Sequence, residues 1–231
     1  MRLADYVIKF LESKKIDTVF TVSGGGSIFL CDALYKAKKI KYIPCHHEQA
    51  VSFATESYSR IKNKPGAAII TTGPGGTNCT TGVACCWIDS VPAIFISGQV
   101  YSNQTIAKTG TRQVGVQEFD IIKMVKSSTK YAVMITKPNE IKYHLEKAYY
   151  LSTQGRPGPV WIDIPADIQD ENINEKKLKG YIPKKKAAKN KSLDNKIKRV
   201  AKLLSNSDRP LLHLGHGVKI GRGEKYLRKI I

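Results

Sequence analysis

Between residues 17 and 164, short apolar runs alternate with helical patterns, and this alternation restricts the fold more than any other feature of the chain. The runs at 17–22, 41–45, 67–71, 93–97, 130–135 and 159–164 are each five or six residues long, the length of ordinary strands. The stretches 27–37, 47–62, 77–87 and 138–153 carry helical spacing between them. A run such as Ala67-Ala68-Ile69-Ile70 offers no polar face, so it belongs in a strand covered on both sides. Strands of that kind joined through helices predict an α/β fold, a doubly wound and mostly parallel sheet with helices on both faces. On the 47–62 helix, Ala50, Phe53, Ala54, Ser57, Tyr58 and Ile61 share one face, the expected core side. Near the start, Leu3, Tyr6, Val7, Phe10 and Leu11 follow helical spacing rather than the continuous apolar run of a signal peptide.

Residues 99–117 interrupt this rhythm with a long polar, glycine-containing loop, of the kind that serves a binding site or an interface. Residues 1–170 therefore read as one domain, and 171–191 as a Lys-rich linker. Residues 192–231 read as the opening of a second α/β domain, with a helix at 193–204, a buried strand at 210–214 and a helix from 224. Such a short opening cannot bury a core alone, so the expectation is the N-terminal portion of a longer protein. The formal net charge of +19 raises the question of nucleic acid. Residues 171–231 carry 18 basic and 5 acidic side chains, so most of the excess lies in the linker and beyond. Aromatic residues do not interleave with these lysines, which favours a solvated charge run over a nucleic-acid surface. No run approaches the roughly 18 apolar residues of a membrane span. Five cysteines without paired spacing support neither a zinc site nor a disulfide framework, and the expected compartment is the reducing cytoplasm.

Two glycine clusters directly follow strands, the place where open α/β sheets bind ligands. One is Ser23-Gly24-Gly25-Gly26-Ser27 and the other Thr71-Thr72-Gly73-Pro74-Gly75-Gly76-Thr77-Asn78. Neither fits a dinucleotide or P-loop pattern, and tight strand-to-helix turns would explain them equally. Glu48 stands at a strand end and a helix start, flanked by His46, His47 and Gln49. Adjacent residues on a helix start diverge, so His46-His47-Glu48 is a poor metal triad. Two readings of Glu48 stay open: a carboxylate placed against the helix dipole, or one gripping a ligand's protonatable nitrogen. Arg156, in Gly155-Arg156-Pro157-Gly158-Pro159, could bind an anion, but its position favours a helix cap.

Taken in order, several motifs resemble the N-terminal, pyrimidine-binding domain of thiamine-diphosphate-dependent enzymes, in the acetolactate synthase-like family. They include Val19-Phe20 with Gly24-Gly25, His47-Glu48-Gln49-Ala50, Glu56-Ser57-Tyr58-Ser59-Arg60 and Thr72-Gly73-Pro74-Gly75-Gly76-Thr77-Asn78. Asp89-Ser90-Val91-Pro92, Ser97-Gly98-Gln99-Val100, Gln117-Glu118 and Gly155-Arg156-Pro157-Gly158-Pro159 through Asp163-Ile164-Pro165 continue the series.

The resemblance implies that Glu48 hydrogen-bonds the ring nitrogen of the cofactor's aminopyrimidine and so activates the cofactor. Gly24, Gly25, Gly73, Pro74, Gly75 and Asn78 would approach the cofactor, with the active site between subunits of a homodimer or homotetramer. Gln117 would face the substrate, a 2-keto acid such as pyruvate, and Arg156 matches an arginine that contacts FAD in flavin-containing members. Mg²⁺ and diphosphate would be held by a G-D-G motif in a third domain, which nothing here matches; this sequence offers no metal ligands and is expected to be inactive alone. The loop before Gln117 looks about two residues longer than in acetolactate synthases proper, with Val116 at an aromatic position. That departure leaves open a 2-keto acid decarboxylase, a keto-sugar carboligase of polysaccharide biosynthesis, or a non-catalytic subunit that needs a partner.

Overall fold

A computed structural model of the chain describes residues 1–106, 109–183, 191–227 and 229–230. Two compact units divide it, Met1–Ile182 and Pro183–Ile231. In the first unit the strands are β1 (Thr18–Thr21), β2 (Lys41–Pro44), β3 (Gly66–Ile70), β4 (Ala93–Gln99), β5 (Tyr131–Met134) and β6 (Pro159–Pro165). The helices are α1 (Leu3–Ser13), α2 (Ile28–Lys36), α3 (Glu48–Lys62), α4 (Pro74–Asn78), α5 (Thr80–Ile88), α6 (Ile121–Val125), α7 (Ile141–Thr153) and α8 (Ala166–Asp170). All six strands run parallel in the order β2-β1-β3-β4-β6-β5. The expected doubly wound sheet is therefore present.

Two cores flank the sheet because successive strand residues point to opposite faces. Val19, Ile69, Ile94, Ile96 and Ile162 join α1, α2 and α7 on one side. Phe20, Ala68, Ile70, Phe95 and Trp161 join α3, α5 and α6 on the other. There the Phe95 and Trp161 rings stack at 5.4 Å. The helix after β1 thus goes to one face and the helices after β3 to the other. Between these neighbouring strands the chain reverses its winding, which opens a crevice at their carboxyl ends.

The expected inner face of α3 needs correction. Its buried residues are Val51, Ser52, Thr55, Glu56 and Ser59, whereas Phe53 is 40% and Ile61 77% exposed. Ala54 and Tyr58 pack only in part against the core. The reason is close approach: a Cβ on Gly82 of α5 would collide with Ser52, so small side chains fill this seam and the large ones turn outward.

Residues 171–182, assigned to the linker by composition, dock onto the first unit. Ile173 and Leu178 are buried, Ile173 N donates to Met1 O at 2.9 Å, and Tyr181 N donates to Glu146 Oε2 at 2.6 Å. Lys184, Lys185, Lys186 and Lys189 lie outside the described residues. In the second unit the expected first helix is α9 (Lys191–Ser205), followed by α10 (Gly217–Ile220) and α11 (Glu224–Leu227). The buried strand expected at 210–214 does not form. Leu211 is 91% exposed, and no strand among the described residues of this unit offers the segment a hydrogen-bonding partner.

Candidate functional site

Four chain segments meet at the carboxyl ends of β1 to β4. His47 caps α3, its Nδ1 accepting from Gln49 N at 3.1 Å, so the next residue, Glu48, occupies the first helical position. The half-buried Glu48 carboxylate leans toward the β3–α4 turn, where Asn78 Nδ2 donates to its Oε2 at 3.0 Å. Oε1 accepts no hydrogen bond among the described residues and lies 3.5 Å from where a Cβ on Gly75 would stand. That Cβ would also press on the Thr71 methyl at 2.8 Å, so Gly75 is the residue that leaves the carboxylate uncovered. The buried Cys79 thiol donates to Glu48 O at 3.2 Å, and burial pushes its pKa well above that of an ordinary thiol.

Gly73 precedes this turn at φ +57°, and a Cβ there would run into Gln117 O. The backbone of Gln117, itself at φ +59°, therefore lies directly on the glycine turn. Thr71 bridges to the first glycine cluster: its Oγ1 accepts from Gly26 N at 3.1 Å, and its side chain fills the space beside Gly24. Gly25 faces open space, Pro74 is exposed at the first position of α4, and Val116 is 83% exposed. The structure thus brings together Glu48, Gly24, Gly73, Gly75, Asn78 and the Gln117 backbone.

Arg156 does not join them. It precedes β6 and so lies at the amino ends of the strands, the opposite edge of the sheet. Its Nε donates to Ser90 Oγ at 2.6 Å and its Nη2 to Ile88 O, the last residue of α5, at 3.2 Å. The guanidinium caps α5.

Sequence reasoning missed the buried polar chain beneath the site. Gln99 Oε1 accepts from the Thr72 hydroxyl and from Val100 N, and Gln99 Nε2 donates to Phe119 O at 3.1 Å and to Asp163 Oδ2 at 3.0 Å. Asp163 Oδ1 accepts from Ser97 Oγ at 2.5 Å, and Ser97 Oγ accepts from Trp161 Nε1 at 2.8 Å. Gln99 thereby ties the Thr72 turn to the segment just after Gln117. Burial raises the Asp163 pKa to about 7, against the lowering by its Ser97 and Gln99 hydrogen bonds. Gln169, fully buried, holds the first glycine cluster by donating to Gly26 O at 2.6 Å. Glu118 closes the 99–117 loop, accepting from Ile106 N and, at 3.0 Å, from Val114 N. Polar residues inside otherwise apolar runs were the signal available for Ser97, Gln99 and Asp163.

No group of three or more His, Cys, Asp or Glu side chains among the described residues could hold a metal ion. No helix among them is long and apolar enough to cross a membrane.

The chain is 34% identical over 222 residues to the acetolactate synthase, chloroplastic, of Arabidopsis thaliana, covering 93% of this chain and 31% of that protein. It is 36% identical to the probable acetolactate synthase large subunit of Methanocaldococcus jannaschii, over 99% of this chain and 38% of that protein. For the acetolactate synthase large subunit of Corynebacterium glutamicum the identity is 34%, over 93% and 33%. The chain spans about a third of the length of these relatives. Residues 1–124 match the thiamine pyrophosphate enzyme, N-terminal TPP binding domain. Over more than half its length, then, the chain carries that domain, and it belongs to the thiamine pyrophosphate enzyme family.

Proposed function

We propose that this chain supplies the aminopyrimidine-binding half of an acetolactate synthase-like carboligase acting on 2-keto acids. The observation that carries the reading is the Glu48 carboxylate, whose Oε1 is left open over Gly75 at the winding reversal of the sheet. An open, half-buried carboxylate oxygen suits a ring nitrogen that must share a proton, and the missing Cβ at Gly75 leaves room for a flat ring. The residues present thus fit the pyrimidine end of thiamine diphosphate.

When bound, thiamine diphosphate supplies the carbanion chemistry that lets a 2-keto acid lose carbon dioxide and pass a two-carbon unit to a second carbonyl. The chain's own contribution is to hold a proton at Glu48 Oε1, to fix the Gly73–Gly75 turn against it and to present Gln117 and Val116 on the substrate side. Mg²⁺ and the diphosphate are assigned to a part of the enzyme other than this cluster. A second copy of the chain is assigned to the exposed apolar side chains of α3, Phe53 and Ile61, which would be buried in a homodimer. Five free cysteines among the described residues accord with a reducing, cytoplasmic setting.

The test uses 4-amino-5-hydroxymethyl-2-methylpyrimidine, the ring portion of the cofactor, titrated into ¹⁵N-labelled chain. Resonance shifts centred on Glu48, Gly75 and Asn78, lost in Glu48→Gln, are expected. Shifts elsewhere, or shifts that survive Glu48→Gln unchanged, would remove Glu48 from cofactor binding.

A further inference from the structure

We propose that Asn78 is a positioning residue for Glu48: its side-chain amide makes the two carboxylate oxygens inequivalent and leaves Oε1 as the one that meets the ligand nitrogen. This inference rests on the aminopyrimidine reading above and gives Asn78 a role other than touching the cofactor.

The geometry has three parts. Asn78 Nδ2 donates to Glu48 Oε2 at 3.0 Å, and an ionised carboxylate can only accept, so the amide end must face it. Oε1 is without a hydrogen-bond partner among the described residues and stands beside Gly75, the position where a side chain would cover it. The remaining neighbours do not compete for the oxygens. His47 is turned to Gln49 N, and Cys79 donates to the Glu48 backbone oxygen rather than to its carboxylate.

Asn78 itself is held in place. It ends α4, and Cys79, the next residue, is fully buried beneath α3. A glutamate at a first helical position has three rotatable side-chain bonds, and without a fixed partner its carboxylate would sample several rotamers. One charge-assisted hydrogen bond from a buried turn selects one of them. A proton shared with a ligand would then reside on Oε1, because Oε2 is already engaged.

The experiment is a donor–acceptor exchange in the full chain, read first without any ligand. Asn78→Asp sets two carboxylates against each other and is expected to lower the folding equilibrium constant about tenfold. Adding Glu48→Gln restores a donor–acceptor pair with the direction reversed and is expected to recover most of that loss. A purely structural role for Asn78 at the end of α4 predicts no such rescue, and additive effects would overturn the pairing. Because Asn78→Asp could unfold the chain, the milder Asn78→Ser is carried alongside. In that variant the Glu48 side-chain carboxyl ¹³C resonance should shift and broaden, and an unchanged resonance would also overturn the proposal.

The ring pyrimidine then separates the two readings. Asn78→Ser should weaken its binding several-fold, and nuclear Overhauser contacts from the bound ring should fall on Glu48 and Gly75 and not on the Asn78 side-chain amide. Ring contacts to the Asn78 amide protons would mean that Asn78 touches the ligand itself, and the proposal falls. If the wild-type chain ignores the pyrimidine while the exchange rescue holds, the pairing stands and the cofactor reading fails.

Discussion

Asp163→Asn should gain stability relative to the unsubstituted chain as pH rises from 4 to 8. The Asp163 side chain is 1% exposed and accepts on both oxygens, from Ser97 on Oδ1 and from Gln99 on Oδ2. An asparagine offers only one oxygen. With its oxygen toward Ser97, its amide opposes the Gln99 amide, which cannot turn without abandoning Thr72 and Val100. With its oxygen toward Gln99, its amide faces Ser97, whose hydroxyl already accepts from Trp161 and then has no acceptor for its proton. Either way one buried donor is lost, a cost of roughly 1–3 kcal/mol. The wild-type carboxyl carries a cost of its own. Its folded pKa of about 7 stands above the ordinary 3.8, mainly through burial, with Asp120 adding to the rise. A raised folded pKa means that the native state binds the proton more tightly. This stabilisation is complete below pH 4 and is lost as pH climbs through 7, a swing of about 4 kcal/mol by linkage. Asparagine has no such swing. Asparagine does not ionise, so the difference in stability between the two proteins should move toward the variant as pH rises from 4 to 8. Urea unfolding of both proteins at constant ionic strength, followed by Trp fluorescence, measures the difference. A difference that stays constant with pH, or that turns further against the variant as pH rises, would refute the reasoning.

Gly73→Ala forces a side chain into Gln117 O at a positive φ and should cost about 2–4 kcal/mol, read as a lowered Tm. Glu118→Ala frees Ile106 N and Val114 N, and hydrogen exchange should rise at those two amides while β4 and β6 stay protected. Phe53→Glu places a charge on the outward face of α3. In the proposed homodimer it should shift sedimentation from dimer to monomer with Tm lowered by only a few degrees, because Phe53 does not support the inner seam.

The sheet was legible because the parallel strands of a doubly wound domain are apolar on both faces, and β3, β4 and β6 are buried along their whole length. Periodicity located α3 and misjudged its inner face. A pattern rule assigns large apolar residues inward, but the seam with α5 is set by backbone proximity at Gly82, which admits Ser52 and not Phe53. The strand expected at 210–214 shows a second limit. A run such as Leu211-Leu212 reports a preference for burial, while a strand also needs a neighbour to hydrogen-bond, and a local pattern contains no information about that neighbour.

The site divides along the same line. Glycine turns and a carboxylate at a helix start are local features, so Glu48 and the Gly73–Gly75 turn could be singled out from the chain alone. Their coupling is not local. Asn78 lies 30 residues from Glu48, and Gln99 lies 64 residues from Asp163, yet each pair shares a hydrogen bond. What sequence did offer was the anomaly of polar side chains inside apolar strands. A buried Gln or Asp must find partners or destabilise the fold, so Ser97, Gln99 and Asp163 carried a signal that the sequence reading passed over. The same logic separates Arg156 from the site. The position of this guanidinium in a rigid turn favoured a helix cap from the chain alone, and its hydrogen bonds to Ser90 and to the last carbonyl of α5 supply that cap.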